Sequence, residues 1–170
     1  MDLYIAVLRV LHIGAGVLWA GATFFLVSFL IPTVQASGPE GGRFMQRLAA
    51  GPYPRAITGA AIVTILSGLL LYWRDSAGLH AEWIGSAFGL TLTLGAVAGL
   101  IAFMRGVIFT KPIADRLGEV GTVVAAAEAP PTPQQLAEMQ QLQAKLTSGA
   151  RIVAYLLGFS VLAMAAARYL

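Results

Sequence analysis

Charge is absent from four long stretches of this chain, and that absence constrains its fold more than any motif does. No Asp, Glu, Lys or Arg occurs between Arg9 and Glu40, Arg55 and Arg74, Glu82 and Arg105, or Arg151 and Arg168. A helix needs roughly 20 apolar residues to cross a bilayer, within a range of about 17 to 25. The fourth stretch has only 16 uncharged residues, but Arg151 and Arg168 lengthen it by reaching outward along their own methylenes. Hydrocarbon offers no hydrogen bonds, so each segment must satisfy its own backbone, which favours helices. The expected fold class is all-α, a polytopic four-transmembrane-helix bundle with short cytoplasmic amphipathic helices. It is one domain over residues 1–170, with span cores near 10–31, 55–73, 83–104 and 151–168. Composition agrees: 11% of residues are charged, against about 25% in soluble domains.

The basic residues orient such a bundle. The connection after the first span carries Arg43, Arg47 and Arg55, and the one after the third carries Arg105, Lys111, Arg116, Lys145 and Arg151. Arg9, Arg74 and Arg168 lie on the other side. The positive-inside rule places the two long connections in the cytoplasm and both termini outside. The first stretch is too long for the 7–15-residue core of a secretory signal and has only Arg9 before it, so it reads as a span. There is no cysteine, which excludes disulfides, thiolate metal sites and cysteine nucleophiles. The net charge of +3 fits basic loops facing anionic lipid better than a nucleic-acid surface.

The connections carry helix signals. Ser37-Gly38-Pro39-Glu40 offers a capping box, with Pro39 in the first turn. The helix that follows is expected to turn Phe44, Met45 and Leu48 down and Arg43 and Arg47 up. Gly51-Pro52-Tyr53-Pro54 stops it. Lys111-Pro112 is expected to kink or end the third span, with another short helix over 113–127. Pro130-Pro131-Thr132-Pro133 is a rigid break, after which Thr132, Pro133 and Gln135 form a capping box. Leu136, Met139, Leu142 and Leu146 recur at helical spacing, so 134–147 is expected to pack on protein and run straight into the fourth span. Tyr72, Trp73 and Trp83 mark the outer interface. Gly85, Gly89, Gly95 and Gly99 give two Gly-x-x-x-Gly spacings, expected to serve packing inside the bundle. No internal repeat is legible, since the first and third spans share only small residues.

Chemistry points to His12, the one histidine inside a span. An ionisable side chain there is expensive and has either a role or a buried partner. His12 and Trp19 lie about 20° apart around the helix, with Gly16 and Thr23 within about 40° of the same line and Arg9 one turn outward. The opposite face carries Gly14, Gly21 and Ser28, expected to be a packing seam. His12 reads either as a histidine bonded to a Ser, Thr or backbone carbonyl of a neighbouring helix, or as a metal ligand. His80 lies in the short outer connection beside Asp75 and Glu82. It is either a solvated loop residue or, meeting His12 at one depth, the second ligand of a haem iron. Two histidines without cysteine make a poor closed zinc site. Thr58, Thr64, Ser67, Thr91, Thr93, Tyr155 and Ser160 read as interhelical hydrogen-bonders. No acidic residue lies in a span, against a transporter built on an intramembrane carboxylate. Nucleotide-binding loops, nucleophile elbows and paired-carboxylate sites are absent from the sequence.

The run Leu11-His12-x6-Trp19-x-Gly21-x-x-Phe24 resembles the first helix of HemJ-type protoporphyrinogen oxidases and of CopD-type copper-resistance membrane proteins. The rest of the chain resembles bacterial four-helix membrane proteins. The HemJ resemblance implies haem b bound through His12; on the reading of the helix faces, Arg9 is then a candidate propionate partner, Gly16 and Trp19 the bed of the macrocycle, and His80 the candidate second ligand. Where that type continues with Pro-Arg and a second histidine, this chain reads Leu30-Ile31-Pro32-Thr33. The CopD resemblance implies copper handling, for which the soft ligands are five scattered methionines, Met1, Met45, Met104, Met139 and Met164. The expected roles are therefore a haem b protein of electron transfer or haem metabolism, a non-catalytic membrane subunit or assembly factor, or a copper-handling protein. The expected partners are the lipid bilayer and a homo-oligomer or larger membrane complex, without nucleic acid. The resemblance implies a bacterial inner membrane.

Overall fold

The computed structural model describes residues 3–127 and 130–170, apart from the side chain of Pro39. All regular structure among these residues is helical, and four helical segments are long and apolar enough to cross a membrane: Leu3–Ala36, Tyr53–Asp75, Ala87–Ala126 and Pro133–Ala167. The first contains α1 (Leu3–Phe25), a π-helical turn (Leu26–Leu30) and α2 (Ile31–Ala36). Next, α3 (Gly38–Ala50) leads back to α4 (Tyr53–Asp75), and the short α5 (Ala81–Gly85) turns the chain into α6 (Ala87–Arg105). A second π-helical turn (Gly106–Thr110) joins α6 to α7 (Lys111–Ala126), and α8 (Pro133–Ala167) completes the fold.

The long helices pair as two antiparallel hairpins. Helix α1 lies on α4, with Gly16 against Thr64 and His12 against Gly68. Helix α6 lies on α8, with Gly95 against Ser160 and Ala163, and Thr110 beside Gly149. Ser160 Oγ donates to Gly95 O at 2.7 Å, locking the second hairpin. Trp19 joins the two hairpins. It packs among Ala20, Ala60, Ala61, Ala102, Val153 and Leu157 and meets Phe103 edge-on at 6.4 Å. The alanines leave the volume that the indole fills. The accessible surface is 10885 Å², whereas a compact soluble chain of this mass exposes about 8,000 Å². Much of the excess is apolar side chain on the long helices, including Val10, Val17, Leu66, Ile101 and Leu162.

Both prolines after the long outgoing helices sit inside continuous helix. A helical proline lacks the N–H for its own turn, and its ring collides with the carbonyl four residues back. Here each is preceded by a widened turn: Ile31 N–H reaches Leu26 O just before Pro32, and Lys111 N–H reaches Gly106 O just before Pro112. Threonines add bonds at these turns, Thr33 Oγ1 to Phe29 O and Thr110 Oγ1 to Arg105 O. Such local adjustment is how helices tolerate proline in apolar surroundings. Of the two outcomes expected at Lys111-Pro112, a kink or an end, the helix does not end there. The same device closing the first and third long helices also gives the two hairpins a shared pattern that their sequences conceal.

Several local expectations are corrected. Ser37 does not cap α3; its hydroxyl donates to Thr33 O, and the reversal comes at Gly38, with φ of +57°. Helix α6 starts at Ala87, so Trp83 belongs to α5, where it meets Tyr72 edge-on at 5.3 Å. Of the glycine spacings, Gly95 and Gly99 face α8, Gly89 faces the backbone of Trp83, and Gly85 faces open space. On α3, Met45 and Leu48 are half-buried, but Phe44 is 51% exposed. The face of Gly14, Gly21 and Ser28 points away from the fold and is not a packing seam within it. Tyr155 is exposed, and Thr64 and Thr91 donate to their own helices rather than across them.

The break at Pro130–Pro133 behaves as expected. Thr132 Oγ1 accepts from Gln135 N–H, Gln135 Oε1 accepts from Thr132 N–H, and α8 runs unbroken through the amphipathic segment into its long apolar part. Helix α8 packs along α7, with Met139, Leu142 and Leu146 half-buried and Leu136 45% exposed. Thr132→Ala is expected to destabilise the first turns of α8 by about 1 kcal/mol. Hydrogen exchange should then accelerate at Gln135 and Leu136 while the core of α8 stays protected; unchanged exchange there would contradict the capping role.

Candidate functional site around His12

Helix α1 turns Ile5, Leu8, Trp19, Ala20 and Thr23 into the fold, and His12 and Gly16 lie on the same stripe. His12 is thereby pressed onto α4 at Gly68. A Cβ built there would lie 2.7 Å from His12 Cε1 and 2.9 Å from Nδ1, so only glycine admits the ring in this position. Nδ1 sits 2.8 Å from Thr64 O. A carbonyl can only accept, so Nδ1 carries the hydrogen, and in the neutral ring Nε2 keeps the lone pair. Nε2 has no hydrogen bond among the described residues and is not among the atoms sealed in the interior.

The surroundings differ from those a macrocycle would need. At Gly16, the Thr64 methyl stands 3.5 Å from where a Cβ would be. Trp19 is 6% exposed and held by the two hairpins together. Thr23 donates to Trp19 O at 2.8 Å, satisfying its hydroxyl within α1. Arg9 is exposed and makes no ion pair among the described residues. Within a single chain, Gly16 and Trp19 are both packed against protein.

His80 is exposed and begins α5, with its carbonyl accepting from Ile84 N–H. Tyr4 lines a shallow hollow with Leu70, Trp73, Arg74, Ala77 and Gly78, so the start of α1 stands level with the connection that carries His80. His12 lies eight residues further along α1, about 12 Å of helix rise. Two nitrogens on one metal ion are about 4 Å apart, given bonds near 2 Å. No group of three or more His, Cys, Asp or Glu side chains is placed to hold a metal among the described residues. Of the methionines, Met1 lies outside them, while Met45 on α3, Met104 on α6, and Met139 and Met164 on α8 are scattered through the fold.

No family model, curated protein or solved structure matches this chain. Its functional reading therefore rests on the residues themselves. Sequence periodicity put His12, Gly16 and Trp19 on one stripe of α1 but named no partner for it. Gly68 and Thr64, which receive the imidazole, carry no signal beyond being small or polar in an apolar helix.

Proposed function

We propose that this chain is an integral membrane protein acting as a non-catalytic subunit or assembly factor, with His12 as the polar clamp of its first hairpin. The observation that carries this reading is the Nδ1–H to Thr64 O bond, made with the ring seated on Gly68. It gives an intramembrane histidine a complete structural reason to exist. The extensive apolar surface of the long helices supports a role within lipid and against other membrane subunits.

A second reading follows from Nε2. Metal-bound histidines commonly donate their other N–H to a backbone carbonyl, which fixes the tautomer and the ring's direction. His12 is arranged in that way, so it is also suited to be a single ligand for haem b or copper held at the outer surface of the α1–α4 pair. An absorption spectrum of the purified full-length protein from haem-replete cells, before and after reduction, separates the two readings for haem. Metal analysis of the same sample does so for copper. The clamp reading expects neither a Soret band nor bound copper. His12→Asn is the informative variant, because an Asn amide can still donate to Thr64 O but has no counterpart of Nε2. It should leave the protein folded on either reading, and should abolish a Soret band or copper content only on the second.

A further inference from the structure

The acidic partners of the basic residues at this end of the fold are unevenly distributed. Asp115 pairs with Lys111 at 2.6 Å, and Glu119 and Glu138 both pair with Arg116 at 3.3 and 2.9 Å, so these ion pairs all belong to α7 and α8. The connection between α1 and α4 is different. Arg43 and Arg47 on α3 and Arg55 in the first turns of α4 are exposed, and none pairs with a carboxylate among the described residues. Glu40 lies on the same side of α3 and is also unpaired. Arg43 and Arg47 are about 40° apart around α3, and Phe44 lies about 60° from Arg47. The outward face of α3 therefore carries two guanidinium groups flanked by an exposed phenyl ring, while Gly41, Met45 and Leu48 face the protein. Two cations beside an exposed aromatic suit the boundary between headgroups and acyl chains, where the ring enters the apolar layer and the cations meet phosphate.

We propose that Arg43, Arg47 and Arg55, with Phe44, form a docking surface for the headgroups of anionic phospholipids at the end of the bundle that carries the two long connections. Guanidinium suits this partner because its fork donates in pairs to phosphate oxygens. Arg105, which closes α6 at the same end, has a buried Nε without an acceptor among the described residues and stacks its guanidinium 5.1 Å from the Phe109 ring.

The test places full-length protein in nanodiscs of phosphatidylcholine with increasing phosphatidylglycerol, and counts retained phosphatidylglycerol by native mass spectrometry after dilution into neutral detergent. Each surface cation near an anionic membrane contributes about fivefold. Arg43→Gln with Arg47→Gln should therefore lower the preference for phosphatidylglycerol by roughly 25-fold at low salt, and adding Arg55→Gln should lower it further. Arg43→Lys with Arg47→Lys should retain most of it. Lys111→Gln, which removes a cation already paired, should change it little. Arg43 and Arg47 make no ion pair among the described residues, so their neutral variants should fold as the wild type does. Equal phosphatidylglycerol retention by wild type and the double Gln variant overturns the proposal. So does loss of that retention on adding millimolar inorganic phosphate, which would make free phosphate the ligand.

Discussion

Trp19→Ala is expected to lower the stability of the bundle by about 3 kcal/mol, the low end of the usual range for a buried tryptophan. The low end applies because lipid is as apolar as a protein core, so the transfer share of the cost is small. What remains is lost packing around a ring that touches both hairpins. Trp19 is 6% exposed against Ala60, Ala61, Ala102 and Leu157, and none of these can extend into the space vacated by an indole. Leu18→Ala, one residue earlier and facing outward, should cost about 0.5 kcal/mol or less. Denaturation in mixed micelles can measure both. Equal losses for the two variants would mean that Trp19 does not join the hairpins.

Gly68→Ala should be disproportionately damaging for a single added methyl. Its Cβ would fall 2.7 Å from the His12 ring, so either the imidazole leaves Thr64 O or the α1–α4 pair separates. Overpacking of this kind costs about 1–3 kcal/mol. His12→Ala alone should cost less, about 0.6–1.7 kcal/mol, from the average to the largest of measured interhelical hydrogen bonds in membranes. The double variant should be no worse than Gly68→Ala alone, because removing the ring removes the collision. A coupling energy at least as large as the His12→Ala loss, about 0.6 kcal/mol or more, is therefore expected. Additive losses would show that ring and glycine do not share one site. Gly59→Ala, on the same helix with open space beside it, is the matched control for helix propensity.

The number of long helices and their approximate limits were legible because charge placement reports on apolar length directly. The capping box at Thr132 was legible for a similar reason: it is a local bond between residues three apart. The corresponding reading at Ser37 failed because Ser37 already closes the end of α2 by donating to Thr33 O. The run of helix through Pro32 and Pro112 was hidden because proline's cost depends on whether the preceding turn can widen, which no residue code states.

Sequence alone determined an all-helical chain with four segments long and apolar enough to cross a bilayer, and singled out His12 as their lone histidine. Tertiary structure decided which side of each helix faces inward. In a soluble helix, polarity marks the outer face; on α1 both sides are apolar, so periodicity showed two stripes but could not rank them. Shape ranked them: Trp19 needed the alanines of α4 and α6, and His12 needed the absence of a side chain at Gly68. The stripe of His12, Gly16 and Trp19, expected to cradle a cofactor, became the packing face, and the glycine stripe expected to pack turned outward. That exchange depended on complementary volume on other helices, far away in the chain.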